Sequence, residues 1–244
     1  MLAIILAAGM ATRLRPLTNE TPKCLLTING TPLLKRSMDA IIGNGIRDFV
    51  IVTGFMHEKI EHFVRQAYGD TVSVRYVHNS LYDKTNNIFS LWVARPEAEG
   101  RDILLLDSDL LYDPRIIREV TSHSAPDVLT LIRHELGEEE MKVVTDNDGN
   151  ITAISKTCKP AEAAGESLGI EKMSAAYTTA LYAELDTMMN REHLENKFYE
   201  LAFERLIPQG HAFKVLDVTQ FYSCELDTID DFRQAEKQCV MYNL

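Results

Sequence analysis

The chain has 244 residues, which is long enough for one substantial α/β domain or for one domain with a modest insert. Its 45% hydrophobic and 25% charged residues are ordinary for a soluble globular protein. Its 36 acidic and 25 basic residues leave a formal net charge of −11, which argues against nucleic acid as the main partner. The sequence contains no run of the ~18 to 20 apolar residues that a membrane span needs, and its four scattered cysteines predict neither a zinc site nor a disulfide framework.

Strand and helix patterns alternate through the first half of the chain. Residues 2–8 are a continuous apolar run, typical of a parallel strand buried on both faces, and further strands are predicted over residues 48–54, 72–79 and 102–109. Apolar residues at helical spacing predict helices between them, over residues 32–45, 57–69 and 87–98. This order implies an open, mostly parallel sheet that binds its ligands beyond the carboxyl ends of the strands.

The first apolar run also bears on location. Residues 1–9 (MLAIILAAG) lack the basic segment and the length of a signal peptide, so they predict a buried strand. A cytoplasmic location is the expectation that follows.

Shorter elements are predicted for the second half of the chain. Strands are expected over residues 128–134, 142–156 as a hairpin turning at 147–150, 174–185 and 213–218. Helices are expected over residues 192–207 and 227–238. Because the chain shows no linker, repeat or low-complexity tract, we expect a single domain over residues 1–244.

The most informative segment, residues 6–26 (LAAGMATRLRPLTNETPKCLL), follows the first predicted strand. The small residues at positions 7–9 would let successive backbone N–H groups approach a polyphosphate closely. Arg13 and Lys23 would bring positive charge to neutralise it. The segment matches neither GxGxxG nor the Walker P-loop.

The whole segment resembles the signature LAAGxGxRLxPLTxxxPKxLLxIxGxPLL of the sugar-phosphate nucleotidyltransferase family. The resemblance implies an α/β fold, a Rossmann-like three-layer sandwich with a mostly parallel mixed sheet (nucleotide-diphospho-sugar transferase-like). In it, residues 1–115 would bind the nucleotide and residues 116–244 the acceptor. It also implies that Lys23 contacts the α-phosphate and the incoming phosphate, and that Arg13 holds the leaving phosphates. Further nucleotide contacts are expected at Leu6, Ala7, Ala8, Gly9, Met10, Ala11 and Thr12.

One position departs from that signature. Ala11 stands where the family usually has a second glycine, and alanine disfavours φ > 0. We therefore expect either an allowed φ at Ala11 or a small shift of the loop.

Two pairs of carboxylates at alternate positions are the predicted metal ligands. Asp107 and Asp109 stand where the fourth predicted strand ends, and alternate residues of a strand point the same way. Asp109 best matches the aspartate that binds the catalytic Mg²⁺ in the family, and Asp107 is the second choice, expected beside the nucleotide. Asp227 matches a further family metal ligand, with Glu225 assisting. A helix cap is the other interpretation of Asp227, and the two roles are compatible. Mg²⁺ is thus the expected cofactor.

The segment YDKTNNIFSLWVAR resembles the corresponding segment of bacterial phosphocholine cytidylyltransferases. By that resemblance Asn79, Asn86, Asn87 and Ser90 lie near the nucleotide, which is expected to be CTP. An amide side chain can pair with the donor and acceptor edges of cytosine. A simple helix cap is the competing interpretation of Asn86 or Asn87.

The segment GESLGIEK and the lysine upstream of it resemble choline-phosphate and related alcohol-phosphate cytidylyltransferases. Lys156 and Lys172 match positions close to the ligands in that family and are expected at the acceptor phosphate. A choline group would use cation–π contact, and a primary amine would use carboxylates such as Glu171 or Asp83. The aromatic side chains available for such contact are Tyr82, Trp92, Tyr177, Tyr182, Phe221 and Tyr222.

The leading hypothesis is a Mg²⁺-dependent cytidylyltransferase that acts on CTP and a small phosphorylated or phosphonylated alcohol. One alternative is a sugar-1-phosphate nucleotidyltransferase using UTP, GTP or dTTP, and another is a 2-aminoethylphosphonate cytidylyltransferase. A third alternative, from another class, is a catalytically silent nucleotide-sensing module. No nucleic acid or membrane span is expected among the partners, and the resemblance allows a homodimer.

Overall fold

The computed structural model of the chain describes residues 1–242. Its strands are β1 (Leu2–Ala7), β2 (Thr27–Ile28), β3 (Thr31–Pro32), β4 (Asp48–Thr53), β5 (Ser73–His78), β6 (Ile103–Asp107), β7 (Leu110–Tyr112), β8 (Val128–Ile132), β9 (Lys142–Thr145), β10 (Ile151–Ser155), β11 (Gly165–Met173), β12 (Lys214–Asp217) and β13 (Ser223–Glu225). Its α-helices are α1 (Leu33–Gly43), α2 (His57–Tyr68), α3 (Asn87–Val93), α4 (Arg95–Ala98), α5 (Arg115–Ser122), α6 (Ala175–Asn190), α7 (Glu200–Leu206) and α8 (Ile229–Met241). Short 3₁₀ turns span Thr12–Leu14, Lys23–Leu25, Gly69–Thr71, Pro160–Glu162 and Ile207–Gln209.

Nine of the strands form one mixed sheet. Its path runs β10-β9-β11-β6-β1-β4-β5, and β8 pairs with both β11 and β12. The central strands β6, β1, β4 and β5 are mutually parallel, whereas β11 runs antiparallel to β6, β8 and β9. Helices cover both faces of this sheet, and the predicted Rossmann-like three-layer sandwich with a mostly parallel mixed sheet is confirmed.

The continuous apolar run of β1 is explained by burial on both faces. Leu2 and Ile4 pack into the cluster that includes residues of α3, α6 and α7, while Ala3 and Ile5 pack into the cluster that includes residues of α1, α2 and α5. All four side chains are fully buried. Polar side chains are therefore excluded from the interior of the strand and appear where it ends.

The prediction of a strand over residues 174–185 is wrong, because the segment after Ser174 forms the helix α6. The Ser174 side chain caps it by accepting a hydrogen bond from the backbone N–H of Tyr177. Tyr177, Leu181 and Leu185 are buried at helical spacing. The aromatic and β-branched residues of the segment suggested a strand, and packing against the sheet overrode that preference.

Two further expectations for the second half need correction. The helix predicted over residues 192–207 is reduced to α7 and a following 3₁₀ turn, and the chain before it turns at His193 with φ of 56°. The nine-residue strand β11 was not predicted, although it separates β6 from β8 in the sheet. A bulge between Ser167 and Glu171, with Gly169 at φ of +78°, interrupts the alternation that would have revealed it.

No helix within residues 1–242 is both long enough and apolar enough to cross a membrane.

Candidate active site

A cavity of about 440 Å³ opens at the carboxyl ends of β1 and β6. Parallel strands bring the loops that follow them to one edge of the sheet, so residues far apart in the chain meet here. The predicted site residues that line it are Leu6, Ala7, Ala8, Gly9, Ala11, Arg13, Lys23, Asn79, Asn86, Asn87, Ser90, Asp107, Asp109, Lys156, Glu225 and Asp227.

The glycine loop after β1 is held close to the loop after β4. The carbonyl oxygen of Ala8 accepts a hydrogen bond from the backbone N–H of Phe55 at 3.0 Å. Gly54 permits this approach, because a Cβ there would lie 2.6 Å from that oxygen. A Cβ at Gly9 would meet nothing within 4 Å among the described residues, so Gly9 faces open space in which a ligand fits. Gly54 supports the loop without lining the cavity. It was not predicted to do so, although a glycine closing a predicted strand was a usable signal.

Ala11 adopts a left-handed backbone, with φ of 45° and ψ of 53°. This conformation costs alanine about 1 kcal/mol relative to glycine. The Thr18 hydroxyl donates a hydrogen bond to the Ala11 carbonyl oxygen at 2.9 Å and helps to hold it. The loop therefore keeps at Ala11 the kind of backbone that the glycine of the family signature would favour. Met10 and Thr12, on either side, do not line the cavity, contrary to expectation.

Four charged side chains from three parts of the chain converge below this loop, and we call Arg13, Lys23, Asp109 and Asp227 the Lys23 cluster. Lys23 Nζ donates to Asp109 Oδ2 at 2.8 Å and to Asp227 Oδ1 at 2.7 Å. The Arg13 guanidinium donates to Asp227 Oδ2 at 2.6 Å. The Lys23 side chain is only 11% exposed, whereas that of Arg13 is 73% exposed.

The charges of the Lys23 cluster favour the ionised forms of Lys23 and Asp227. Burial opposes the charge on Lys23, but attraction to Asp109 and Asp227 more than offsets it, so the pKa of Lys23 is raised above its ordinary value. Burial likewise opposes ionisation of Asp227, but Lys23 and Arg13 outweigh it and lower the pKa of that carboxyl. Lys23 and Asp227 are thus both charged at neutral pH.

The helix-cap interpretation of Asp227 is wrong. Thr228 is the N-cap of α8, where its hydroxyl accepts from the backbone N–H of Asp231 at 3.2 Å. The Asp231 carboxylate accepts in return from the backbone N–H of Thr228 at 2.7 Å, which completes a capping box. The Asp227 carboxylate is therefore free of any capping task and points to Lys23 and Arg13 instead.

The carboxylates available for a metal are few. Within residues 1–242, no group of three or more His, Cys, Asp and Glu side chains is arranged to hold a metal ion. Asp109 and Asp227 instead meet at one cation, the Lys23 ammonium, and Glu225 lines the cavity beside them. Two carboxylates with room for water and phosphate oxygens are the kind of protein contribution that Mg²⁺ accepts.

The side chains of Asn79, Asn86 and Asn87 line the cavity and also make hydrogen bonds within the protein. Asn79 is 1% exposed, and its Nδ2 donates to Ser90 Oγ at 3.0 Å. Asn86 is the N-cap of α3, with its Oδ1 accepting from the backbone N–H of Asn87 at 2.7 Å. Asn87 Oδ1 accepts from the backbone N–H of Tyr199 at 3.0 Å. Because these oxygens are occupied, Asn86 and Asn87 can offer a ligand mainly the donors on Nδ2.

A second set of side chains, Asp107, Tyr199 and Glu200, forms what we call the acidic wall. Tyr199 is fully buried, and its hydroxyl donates to Asp107 Oδ2 at 2.9 Å. Glu200, the first residue of α7, is 7% exposed, lines the cavity, and has a buried Oε2 without a hydrogen-bond partner among the described residues. Burial raises the pKa of Glu200 to about 7, and burial with the charges of Asp109 and Glu200 raises the pKa of Asp107 well above its usual range.

Glu171 lies behind this wall and does not line the cavity, contrary to the acceptor contact predicted for it. It is completely buried, and burial with the charges of Asp107 and Glu200 raises its pKa well above the usual range. Gly169 belongs to the same packing, because a Cβ there would lie 2.7 Å from Asp107 Oδ2. Glu200 and Gly169 were not predicted as site residues, and a glycine inside a strand pattern was the available signal for Gly169.

Of the other residues predicted to contact the acceptor, Lys156 lines the cavity, whereas Lys172 and Tyr177 do not. Lys172 pairs with Leu104 inside the sheet and donates from Nζ to the carbonyl oxygen of His123 at 2.7 Å, so it does not line the cavity. Tyr177 is 1% exposed and packs against Phe213 with ring centroids 4.4 Å apart. The acceptor contacts predicted for Lys172 and Tyr177 are therefore wrong, because both side chains are committed to the interior.

Lys156 does line the cavity, beside residues that were not predicted. Its ammonium lies 4.8 Å from the centroid of the Phe198 ring and 3.5 Å from Glu139 Oε2. Glu166 also lines the cavity, and its Oε2 lies 2.7 Å from His134 Nε2. Glu139 and Glu166 were not predicted to line the cavity, because an isolated charged residue in a sequence does not indicate that it lies in a site.

The lining of the cavity is acidic in total. The acidic side chains are Asp107, Asp109, Glu139, Glu166, Glu200, Glu225 and Asp227. The basic side chains are Arg13, Lys23 and Lys156, so acids outnumber bases seven to three among the lining residues that the structure describes.

Comparison with known proteins places the chain in a family. Over 245 residues it is 28% identical to the choline-phosphate cytidylyltransferase of Streptococcus pneumoniae, covering 97% of each chain. Over 109 residues it is 34% identical to the 2-aminoethylphosphonate cytidylyltransferase of Lancefieldella rimae, covering 45% of this chain and 43% of that one. The solved structure of CTP:phosphocholine cytidylyltransferase from Streptococcus pneumoniae superimposes with a TM-score of 0.81 at 23% identity, covering 97% of this chain and 98% of that chain. Because the nucleotidyl transferase family model matches residues 2–222, the chain belongs to the nucleotidyl transferase family and is an enzyme of the nucleotidyltransferase type.

Proposed function

We propose that the protein is a Mg²⁺-dependent cytidylyltransferase that joins CTP to a small phosphorylated or phosphonylated alcohol and releases pyrophosphate. The observation that carries this proposal is the Lys23 cluster, in which one buried ammonium lies within 2.8 Å of two carboxylates from distant segments. Such a cluster below a glycine loop supplies both a phosphate-neutralising cation and a pair of hard oxygen ligands.

The chemistry is an in-line displacement at phosphorus. An oxygen of the acceptor's phosphate or phosphonate forms a bond to the α-phosphorus of CTP, the bond from that phosphorus to the oxygen bridging to the β-phosphate breaks, and pyrophosphate leaves. Lys23 neutralises the α-phosphate and the incoming oxygen, and Arg13, exposed at the cavity mouth, holds the leaving phosphates. Orientation and charge neutralisation supply the rate, without a covalent intermediate on the protein.

The residues of the cluster fit a magnesium ion. Asp109 and Asp227 each direct an oxygen at Lys23 Nζ, so the two carboxylates converge on one point, and Glu225 lines the cavity with them. Asp109 and Asp227 would hold Mg²⁺, with Glu225 assisting, and the bound ion would neutralise the charge of the triphosphate.

The cytidine and acceptor assignments are supported by named relatives and by two amide side chains of the cavity. Relatives named as choline-phosphate and 2-aminoethylphosphonate cytidylyltransferases favour CTP and an alcohol phosphate or phosphonate. The Nδ2 donors of Asn86 and Asn87 suit the O2 and N3 acceptors of cytosine. Residues 1–115 supply the loop and these amides, and residues 116–244 supply Lys156 and Glu200, which supports a nucleotide-binding and an acceptor-binding half. The cytoplasmic location and a homodimer stay predictions.

The test is pyrophosphate release in the presence of Mg²⁺, with CTP, UTP, GTP and dTTP each paired with alcohol phosphates, alkyl phosphonates and hexose-1-phosphates. Turnover with CTP and an alcohol phosphate or phosphonate is the expected result. Turnover confined to another nucleotide and a sugar-1-phosphate would keep the displacement chemistry and overturn the cytidylyl assignment. Turnover that is unaffected by removal of divalent cations would overturn the magnesium assignment.

A further inference from the structure

The acidic surplus of the cavity is not explained by the transfer chemistry alone. Both substrates bring anionic phosphorus groups, which acidic side chains repel. Asp109, Asp227 and Glu225 are accounted for by a metal and by Lys23, Glu166 lies against His134, and Glu139 lies 3.5 Å from Lys156 Nζ. Glu200 and Asp107 of the acidic wall remain, and both line the cavity.

Glu200 is the stronger indication that a ligand group is missing from this wall. Glu200 is only 7% exposed, and hence 93% buried, and its Oε2 has no hydrogen-bond partner among the described residues. A buried polar atom without a partner is costly, and native proteins normally satisfy such atoms. A donor carried by a ligand in the cavity would satisfy it.

The charge of the wall indicates what kind of donor that is. Lys156 is a cation close enough to lower the pKa of Glu200, but its ammonium lies over the Phe198 ring and near Glu139. On the other side, Asp107 has one oxygen bonded to the Tyr199 hydroxyl. A cationic donor between Asp107 and Glu200 would offset their repulsion as well as complete the hydrogen bonding.

The cavity favours a primary ammonium over a quaternary one. A quaternary ammonium has no N–H to give Glu200 and is bound by several aromatic faces. Tyr82 and Phe198 are the aromatic side chains among the described residues that line the cavity, and the face of Phe198 already has Lys156 against it. A protonated primary amine donates three hydrogen bonds and suits carboxylates instead.

We propose that the acceptor carries a protonated primary amine, and that Glu200 and Asp107 bind it at the acidic wall. This inference rests on the proposed function, because it assigns the substrate class of the same cavity. The acceptor class is therefore an aminoalkyl phosphate or aminoalkyl phosphonate, with the amine at one end of the cavity and the phosphorus group at the Lys23 cluster.

The test compares three acceptors that differ in one group: 2-aminoethylphosphonate, its trimethylammonium analogue, and propylphosphonate, in which a methyl group replaces the amine. With CTP and Mg²⁺, we expect kcat/KM for the primary amine to exceed that for propylphosphonate on the order of 100-fold, because a site built to bind a polar group rejects the analogue that lacks it. We expect an advantage of roughly tenfold over the trimethylammonium analogue.

Two substitutions in α7 distinguish a specific effect of the acidic wall on amine binding from a general effect on the enzyme. Glu200→Gln should reduce the preference for the amine over propylphosphonate to less than about tenfold, through the KM for the acceptor, and should leave the KM for CTP unchanged. Glu204→Gln, one turn along α7 and outside the cavity lining, should keep the wild-type preference. Thermal unfolding of both variants verifies that they are folded.

The outcomes distinguish this inference from the proposed function. Efficient turnover of propylphosphonate or a hexose-1-phosphate with CTP, without any preference for the amine, would keep the cytidylyl assignment and overturn the inference. Preference for the primary amine with a nucleotide other than CTP would keep the inference and overturn the cytidylyl assignment. If no pair reacts, calorimetric binding of 2-aminoethylphosphonate and propylphosphonate decides: tighter binding of the amine, weakened by Glu200→Gln, supports the inference, and equal or undetectable binding overturns it.

Discussion

The Lys23 cluster and the acidic wall handle charge in opposite ways. In the cluster, Lys23 and Arg13 pair with Asp109 and Asp227, so the protein neutralises its own buried charge. In the wall, Glu200 has a buried oxygen with no hydrogen-bond partner within residues 1–242, and burial raises the pKa of Glu200 to about 7. The cluster is therefore ready for phosphate before any ligand arrives, whereas the wall needs either a proton or a cationic ligand to become neutral.

The largest expected effect comes from removing the cation that organises the cluster. Lys23→Ala should lower the rate of pyrophosphate release on the order of 1,000-fold, because one preorganised donor at developing charge is worth 10²–10³ in rate and two carboxylates lose their shared partner. Lys35→Ala, which removes a lysine from an exposed pair with Asp39, is the matched control and should stay within about twofold of wild type. Retention of more than a tenth of the activity in Lys23→Ala would contradict the role of Lys23.

The next effect tests whether the cluster also serves a metal. Asp227→Asn should reduce activity roughly 100-fold and raise the Mg²⁺ concentration needed for half-maximal rate. Because Thr228 rather than Asp227 caps α8, the melting temperature should change by less than about 3 °C.

The control for that substitution is Asp230→Asn on the same helix, whose exposed carboxylate accepts a hydrogen bond from Arg233 at 3.0 Å. Its magnesium dependence should equal that of wild type. An unchanged magnesium requirement in Asp227→Asn would sink the assignment of Asp227 as a ligand.

The third expected effect is on the pH dependence of the free energy of unfolding, to which the acidic wall contributes through Glu200. The pKa of Glu200 is about 7 in the folded protein, against an ordinary value of 4.5, so between these pH values the folded state holds more protons than the unfolded state. Stability must then fall as pH rises through this window. Glu200→Gln removes this loss and should raise the free energy of unfolding at pH 8 on the order of 3 kcal/mol, with little gain near pH 4.5.

Urea unfolding at pH 5 and pH 8 measures this difference. Glu204→Gln is the control, and its effect should be smaller because Glu204 is only half-buried. The same Glu200 substitution is expected to weaken amine binding, so a gain in stability would accompany a loss of specificity. A variant that is no more stable than wild type at pH 8 would contradict the unpaired burial of Glu200.

The smallest effect concerns the loop above the cluster. Ala11→Gly should stabilise the fold by about 0.5 kcal/mol, because the relief of the left-handed backbone at φ of 45° slightly exceeds the added entropy of an unfolded glycine. Ala40→Gly, inside α1, should instead destabilise by about 1 kcal/mol. Equal destabilisation by the two substitutions in thermal unfolding would show that the Ala11 backbone is not strained.

The first half of the fold was predictable because each of its elements carries a local pattern. The buried strands β1, β4 and β6 are continuous apolar runs, and the intervening helices have apolar residues at helical spacing. The second half was less predictable, since α6 has a strand-like local composition and the glycine bulge in β11 conceals its alternation. In both segments, packing against the sheet determined the structure more than local preference did.

The sequence by itself determined the glycine loop, the cations that follow it and the carboxylates at the end of β6, because each is a contiguous pattern on a predictable strand end. Only the tertiary structure decided that Asp227 meets Lys23 at 2.7 Å, that Glu200 enters the cavity, and that Lys172 turns away from it. Such contacts depend on strand order, register and helix packing, which join residues that no local pattern connects.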